Sequence, residues 1–465
     1  MSRQHIERTK NWKQAAAILA LSLGSFIVLL DTTILNVALP ALQHSLHASL
    51  ENIQWIADSY ILVFVSFLLT AGTLGDRFGV RTVFGLGLLI FIGSSLICSL
   101  VRSVEWLIIA RALQGAGAAV LLPNSLSLVA HLFEDPQERN RAVAAWGGIS
   151  SLAVASGPLL GGILVDSFGW PSIFLINIPA GLLALVLMLL TIQPIPAQSG
   201  KKLDLAGQVF AILACLFLSY GLIEWQHLPP ALRIGMLALA ILCTLLFIRI
   251  EAHSSQPMLP LALFRSRKVS TTLFVALAYQ FSFFGMLFAF AIYFQHAYGY
   301  GAFETGLAFL PQTAFGSFLL LFMTKHIMRL LRPEKALAIG LLLGMTGMLV
   351  VLLGLHTSLP VILLGELLIG ALAGFVASPM TAVVLENVPK ELSGVASAAL
   401  NAARQIGGLL SVAILGSQLG KETIKSGIEI DVIIMASACL LGVILCLLSM
   451  RTSGLERRRI KAVEL

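Results

Sequence analysis

The sequence predicts an all-α membrane protein of about fourteen transmembrane helices, and three observations carry that prediction. The apolar residues, 58% of 465, lie in long runs separated by short polar breaks. Each run is about 20 residues, the length that a bilayer core about 30 Å thick requires. Charged residues make up only 11% of the chain, against about 25% in a soluble protein. The runs also lack the two-residue alternation of a barrel strand, and lipid offers no partner to a free backbone N–H or C=O, so each run is a helix.

Spans are read near 15–38, 53–74, 83–101, 106–130, 142–165, 172–192, 205–224, 232–249, 271–294, 305–324, 335–355, 360–383, 392–416 and 432–450. The first follows a polar, basic stretch from Met1 to Gln14. It is longer than a signal-peptide core, holds Asp31 and has no small-residue cleavage site before the next loop, so it is expected to stay. The second and third flank a glycine-rich loop, Gly72 to Arg81; the fourth holds Arg111 and the fifth Pro158. After the sixth, Gln193 to Asp204, with Pro194, Pro196, Ser199, Gly200, Lys201 and Lys202, reads as a linker to the seventh and eighth. The ninth is rich in aromatics, the twelfth holds Glu366, and the thirteenth holds Arg404.

Lys and Arg test the count, because a correct topology gathers them in alternate loops. Arg8 and Lys10, Arg77 and Arg81, Arg139 and Arg141, Lys201 and Lys202, Arg267 and Lys268, Arg332 and Lys335, Lys390 and the tail from Arg451 fall on one side. Arg102, Arg233, Lys421 and Lys425 fall on the other, and only Arg111 and Arg404 stay within the membrane. Both termini are therefore expected in the cytoplasm. The net charge of +7 is topogenic on this reading, and no basic groove with interleaved aromatics suggests nucleic acid.

An offset of about 255 residues lays Ala110–Val120 over Gly365–Phe375, with Gly115 on Gly370, and so superposes the fourth span on the twelfth. The expected organisation is two parallel six-helix bundles plus an inserted pair. Residues 1–192 form the first bundle, 193–270 the linker and inserted helices, 271–450 the second bundle, and 451–465 a cytoplasmic tail.

Charges within the bilayer need a reason, since each costs roughly 2.5–3.5 kcal/mol at a helix centre. Asp31 and Arg111 are placed at the same depth, roughly 8–9 Å outward of the midplane, where they can pair. Asp31 borders a stripe of Ser22, Ser25, Thr32 and Asn36, which suits a wet cavity. Desolvation favours a neutral acid and a nearby guanidinium favours the anion, so a carboxylate whose surroundings alternate can load a proton on one side and release it on the other. Glu366 and Arg404 form the second candidate pair. Asp58 and Glu224 read as interfacial, and His131 as solvated. Asn36, Gln114, Phe284 and Phe288 are the residues expected to line a substrate cavity, the phenylalanines offering faces to a cation.

In the loop after the second span, Gly72, Asp76, Arg77, Gly79 and Arg81 combine a tight turn with charges that can meet helix ends, a latch more than a binding site. In the fifth span, Gly157, Pro158, Gly161 and Gly162 permit a kink and a close helix contact. Cys98, Cys215, Cys243, Cys439 and Cys446 have no metal-ligand spacing, and no nucleophile with a base, phosphate loop or metal cluster appears. Neither an enzyme nor a metal or cofactor is expected.

At these residues the chain resembles the fourteen-helix drug:proton antiporter branch of the major facilitator superfamily. Leu29–Pro40 resembles the branch's first-helix motif, Gly72–Thr82 the superfamily loop motif, Ala110–Val120 the fourth-helix arginine motif and Ala155–Gly162 the antiporter motif. The resemblance implies that Asp31 is the proton-linked acid and Arg111 its partner. It further implies that Gly72, Asp76, Arg77 and Gly79 are a conformational latch, and Gly157, Pro158, Gly161 and Gly162 an antiport hinge. Val80 stands where a basic residue is frequent, and Glu366 matches no family motif. The implied function is proton-driven export of lipophilic, cationic drugs by a monomer in a bacterial inner membrane, with the proton gradient as energy source. Export of an endogenous metabolite, siderophore or self-made antibiotic is the rival on the same fold. A non-transporting sensor is a more distant one.

Overall fold

The computed structural model describes residues 3–133, 135–197, 204–254, 257–389, 392–419 and 423–463. Among these, thirteen helices are long and apolar enough to cross a membrane. A pair bent by 45°, Ala302–Ala308 with Leu310–Leu330, makes a fourteenth when taken as one span. No strand occurs among the described residues. The protein is integral to a membrane. Ser199, Gly200, Lys201, Lys202, Lys390 and Lys421 lie outside the described residues.

In chain order the helices are α1 (Arg3–Leu46), α2 (Leu50–Phe78), α3 (Val80–Leu100), α4 (Val104–Leu132), α5 (Pro136–Phe168), the short α6 (Ser172–Leu175), α7 (Asn177–Thr191), α8 (Leu205–Ile223) and α9 (Pro230–His253). There follow α10 (Arg267–Ala297), α11 (Ala302–Ala308), α12 (Leu310–Phe318), a π-turn at Leu319–Met323, α13 (Thr324–Leu330), α14 (Pro333–His356), α15 (Leu359–Glu386), α16 (Ser393–Leu419) and α17 (Ile424–Val463). Their ends follow from local chemistry. Ser49 caps α2 by accepting from the amide of Asn52, and Asp135 caps α5 by accepting from Gln137 and Glu138, with Pro136 at the first helical position. The turn from α2 to α3 is made by Gly79 at φ +89, a region closed to most side chains. The last helix runs through the basic tail to Val463, beyond the expected end of the span, since Leu455–Val463 consists largely of good helix formers.

The chain divides into two compact units. The first holds Met1–Met258 and Gly299–Leu307; in it α1 packs on α5 and α7, α4 packs on α2 and α3, and α8 lies against α9 and α2. The inserted pair thus belongs to the body of the first bundle rather than to a separate linker region. The second unit holds Leu259–Tyr298 and Ala308–Leu465, with α15 on α14 and α12, and α10 on α16 and α17. The internal repeat appears in the packing of each unit. Gly115 of α4 meets the carbonyl of Tyr60 on α2, and its counterpart Gly370 of α15 meets that of Gln312 on α12. Side chains on α9 such as Ile234, Ile241 and Leu245 are exposed, as a helix bathed in hydrocarbon allows.

Candidate functional site

Five helices of the first unit bring polar side chains to one buried point. Arg111 Nη1 lies 2.5 Å from Asp31 Oδ2, and both residues are almost wholly buried. The other carboxylate oxygen of Asp31 accepts from Gln114 Nε2 at 2.9 Å and from Asn177 Nδ2 at 3.3 Å. Gln114 Oε1 in turn accepts from Arg111 Nη1 at 2.7 Å, and Arg111 Nε donates to the carbonyl of Ile56 at 3.3 Å. Ser95 Oγ accepts from Gln114 Nε2 at 2.9 Å and sits 3.4 Å from Asn177 Nδ2. The guanidinium stands 4.3 Å from the centre of the Tyr60 ring and 5.7 Å from that of Phe174, which adds an attraction of about 0.5–2 kcal/mol for a desolvated cation.

The geometry can hold a carboxylate as an anion deep in the bilayer, because charge and donors compensate it on several sides. The sequence places Asp31 and Arg111 together, and the structure pairs them. Ser95 and Asn177 escape the sequence reading. Asn177, an amide opening an otherwise apolar helix, carried a readable signal; Ser95, one serine among several in α3, did not.

Gln114 and Phe288 do not line an open cavity. Both are fully buried, Gln114 because it is engaged with Asp31, and Phe288 within the core of α10. Phe284 is half-buried against Phe283, with ring centres 5.8 Å apart. Asn36 turns its amide back to the carbonyl of Thr32 at 3.1 Å, and Ser25 shares a 3.2 Å contact with Ser125 of α4. The polar stripe on α1 is therefore largely satisfied within the bundle.

Glu366 and Arg404 do not form the expected pair. Arg404 Nε donates to Gln280 Oε1 at 3.4 Å, and its guanidinium stands 5.8 Å from the ring of Tyr279, both on α10. Glu366 sits on α15, fully buried, and among the described residues neither carboxyl oxygen has a hydrogen-bond partner. The reach of the arginine along its span did not imply adjacency, because α16 presents Arg404 to α10 instead. Asp58 is wholly buried in the first unit, at 0% exposure, and among the described residues neither of its oxygens has a hydrogen-bond partner.

In the loop, Gly79 makes the turn, Arg81 Nη2 reaches the carbonyl of Leu189 at 3.4 Å, and Arg77 stands 5.3 Å from the ring of its neighbour Phe78. Gly72 faces open space, while Asp76 is engaged. On α5, a β-carbon at Gly161 would lie 2.8 Å from Ile34 of α1, and one at Gly162 would lie 2.6 Å from the carbonyl oxygen of Ala302. Gly157 likewise abuts Thr33. The helix runs unbroken through Pro158. Among the described residues no cluster of three or more metal-ligating side chains occurs.

The model of the Major Facilitator Superfamily matches residues 21–412. Multidrug resistance protein Stp of Mycobacterium tuberculosis is 34% identical over 411 residues, covering 88% of this chain and 76% of that protein. The methylenomycin A resistance protein of Bacillus subtilis is 33% identical, covering 86% of each. The tetracenomycin C resistance and export protein of Streptomyces glaucescens is 36% identical, covering 86% of this chain and 74% of that one. Among solved structures, the POT family transporter PepTSo superposes with a TM-score of 0.69 at 17% identity, covering 95% of this chain and 98% of that one.

Proposed function

The chain belongs to the major facilitator superfamily, and we propose that it exports lipophilic, cationic drugs in exchange for protons by alternating access. It is a transporter, not an enzyme. The observation that carries the proton-coupled reading is a set of fully buried acids: Asp31 held by Arg111, and Asp58 and Glu366 with no partner. A lone buried carboxylate is costly, which makes Asp58 and Glu366 groups suited to exchange a proton during the cycle. Asp31 is paired with Arg111 and becomes available for exchange when Arg111 withdraws. One proton moving down ~100 mV supplies ~2.3 kcal/mol, enough for a roughly 40-fold substrate gradient.

In this reading Asp31, Arg111 and Glu366 serve coupling, and Asp58 joins them. Arg404, held by Gln280 and facing Tyr279, orients α16 against α10. Gly79 with Asp76, Arg77 and Arg81 forms the latch, and the close contacts of Gly157, Gly161 and Gly162 beside Pro158 set how α5 slides. Both termini face the cytoplasm, the membrane is the cytoplasmic one of a bacterium, and the protein works as a monomer. Relatives named for methylenomycin A and tetracenomycin C favour a second reading of the cargo, a natural antibiotic.

The test is efflux of a fluorescent cation from proteoliposomes under an imposed pH gradient. Asp31→Asn, reconstituted and still binding the cation, is expected to lose uphill movement. Gradient-driven efflux equal to that of the parent protein would remove Asp31 from the coupling role.

A further inference from the structure

The inserted helices have no counterpart in the internal repeat, yet α8 lies antiparallel along the core helix α2. At one end of the contact, Gln208 Nε2 donates to the carbonyl of Ser66 at 2.7 Å, and the hydroxyl of Thr70 donates to Gln208 Oε1. At the other, Trp55 Nε1 donates to Glu224 Oε1 at 3.1 Å, and the Trp55 and Tyr220 rings stand 6.1 Å apart. Beyond them, at the surface, His227 Nε2 is 3.0 Å from Glu51 Oε1.

These anchors fix the register. Helical spacing puts Trp55, Ser59, Leu62 and Ser66 on one face of α2, and Gln208, Cys215 and Ser219 on one face of α8. Ser219 then falls level with Ser59, which adjoins Asp58. Ser219 and Ser59 are 1% and 6% exposed, and among the described residues neither hydroxyl has a hydrogen-bond partner. A helical serine commonly returns its hydroxyl to the carbonyl one turn back, as Ser94 does to Ile90 at 2.7 Å. Buried hydroxyls that do not are positions that internal water serves. Further along, Leu62 and Cys215 fall on the same faces of α2 and α8, between this level and that of Ser66 and Gln208.

We propose that the seam between α2 and α8 is a proton path from the outer surface to Asp58, and that the inserted helices supply half of it through His227, Glu224 and Ser219. The proposal rests on the proton-coupled reading above and on the orientation that puts Glu51 outside. A proton taken up at His227 or Glu51 passes to the carboxylate of Glu224. From there each hydroxyl or water accepts one proton on a lone pair and hands on its own, and the last step forms an O–H bond on Asp58. No redox change and no leaving group is involved.

The other charged groups of the first unit near Asp58 are accounted for. On α4, Arg111 is bound to Asp31 of α1, and Glu105 lies in the first turn at the helix end. On α3 the titratable group within the span is Cys98, against Gln114, and on α2 itself Tyr60 lies under Arg111. Glu224, Tyr220 and Cys215 are the titratable groups of α8, and Glu224, bound to Trp55, is the acid at the outer end of the seam.

The test uses two measurements on reconstituted protein, with Ser219→Val, its isostere Ser219→Thr and Glu224→Gln. The first is efflux of a fluorescent cation driven by a pH gradient. The second is exchange of labelled for unlabelled cation at equal concentrations without a gradient, which needs no net proton flow. Ser219→Val and Glu224→Gln should slow driven efflux by about a hundredfold, the lower side of what positioned proton transfer contributes. Exchange should stay within about twofold, a change too small to signal lost packing. Ser219→Thr, which restores the hydroxyl, should recover driven efflux. Unchanged driven efflux in both substitutions, or equal loss of efflux and exchange, overturns the path while leaving a coupled parent in place. A parent indifferent to the pH gradient removes the coupled reading and the path together.

Discussion

Removing the charge from Asp31 should destabilise the protein in a way that removing Arg111 as well partly repairs. Asn at position 31 keeps an oxygen near Gln114 and Asn177 but leaves the guanidinium of Arg111, 1% exposed, without a counter-charge. Breaking a buried pair from one side costs about 3–5 kcal/mol. The lower figure applies here, because Arg111 retains Gln114 Oε1, the carbonyl of Ile56 and the face of Tyr60. Arg111→Gln should cost a similar ~3 kcal/mol, since it strands the carboxylate with amide donors only. Without either charge, Asp31→Asn with Arg111→Gln should cost only ~2 kcal/mol, a coupling of about 4 kcal/mol in the double-mutant cycle. Denaturant titration of the purified protein in mixed micelles measures all four unfolding free energies. Additive losses near 6 kcal/mol in the double substitution would refute the reasoning, as would an Asp31→Asn protein as stable as its parent.

The remaining predictions contrast positions that look alike in sequence. Glu366→Gln should change unfolding free energy by less than about 1 kcal/mol in the same titration, because the carboxyl has no partner to lose, whereas loss of an ion pair with Arg404 would cost several times that. Gly115→Ala should cost about 1–3 kcal/mol, since a β-carbon there meets the Tyr60 carbonyl, while Gly72→Ala should stay within about 0.5 kcal/mol. Gly79→Ala should cost about 1–2 kcal/mol by forcing a side chain into a left-handed conformation, read as a lower denaturation midpoint.

Depth along a span was legible in the sequence; direction around it was not. Asp31 and Arg111 were placed together because both run lengths and loop charges locate them at one level, and because the helices that carry them do meet. The pairing of Glu366 with Arg404 rested on the repeat and on the reach of the arginine, and neither can say that α16 turns Arg404 toward Gln280. The burial of Asp58 could not be read from its place near the start of a span, because the face of α2 that turns inward is set by packing. The fourteen spans were readable because a bilayer sets their length physically, whereas the docking of the inserted pair on α2 depends on single polar contacts such as Gln208 with Ser66. Ser95 joins the site through tertiary geometry that no spacing in α3 announces, whereas Asn177 stands out as an amide opening an apolar helix.

Counting protons set free when a cationic substrate binds would test the central claim most directly. Purified protein in weakly buffered detergent, with a pH-sensitive dye, should release protons in proportion to bound cation. A variant carrying Asp31→Asn, Asp58→Asn and Glu366→Gln together should bind without release. Binding with no proton release from the parent, or undiminished release from the triple variant, would contradict the account.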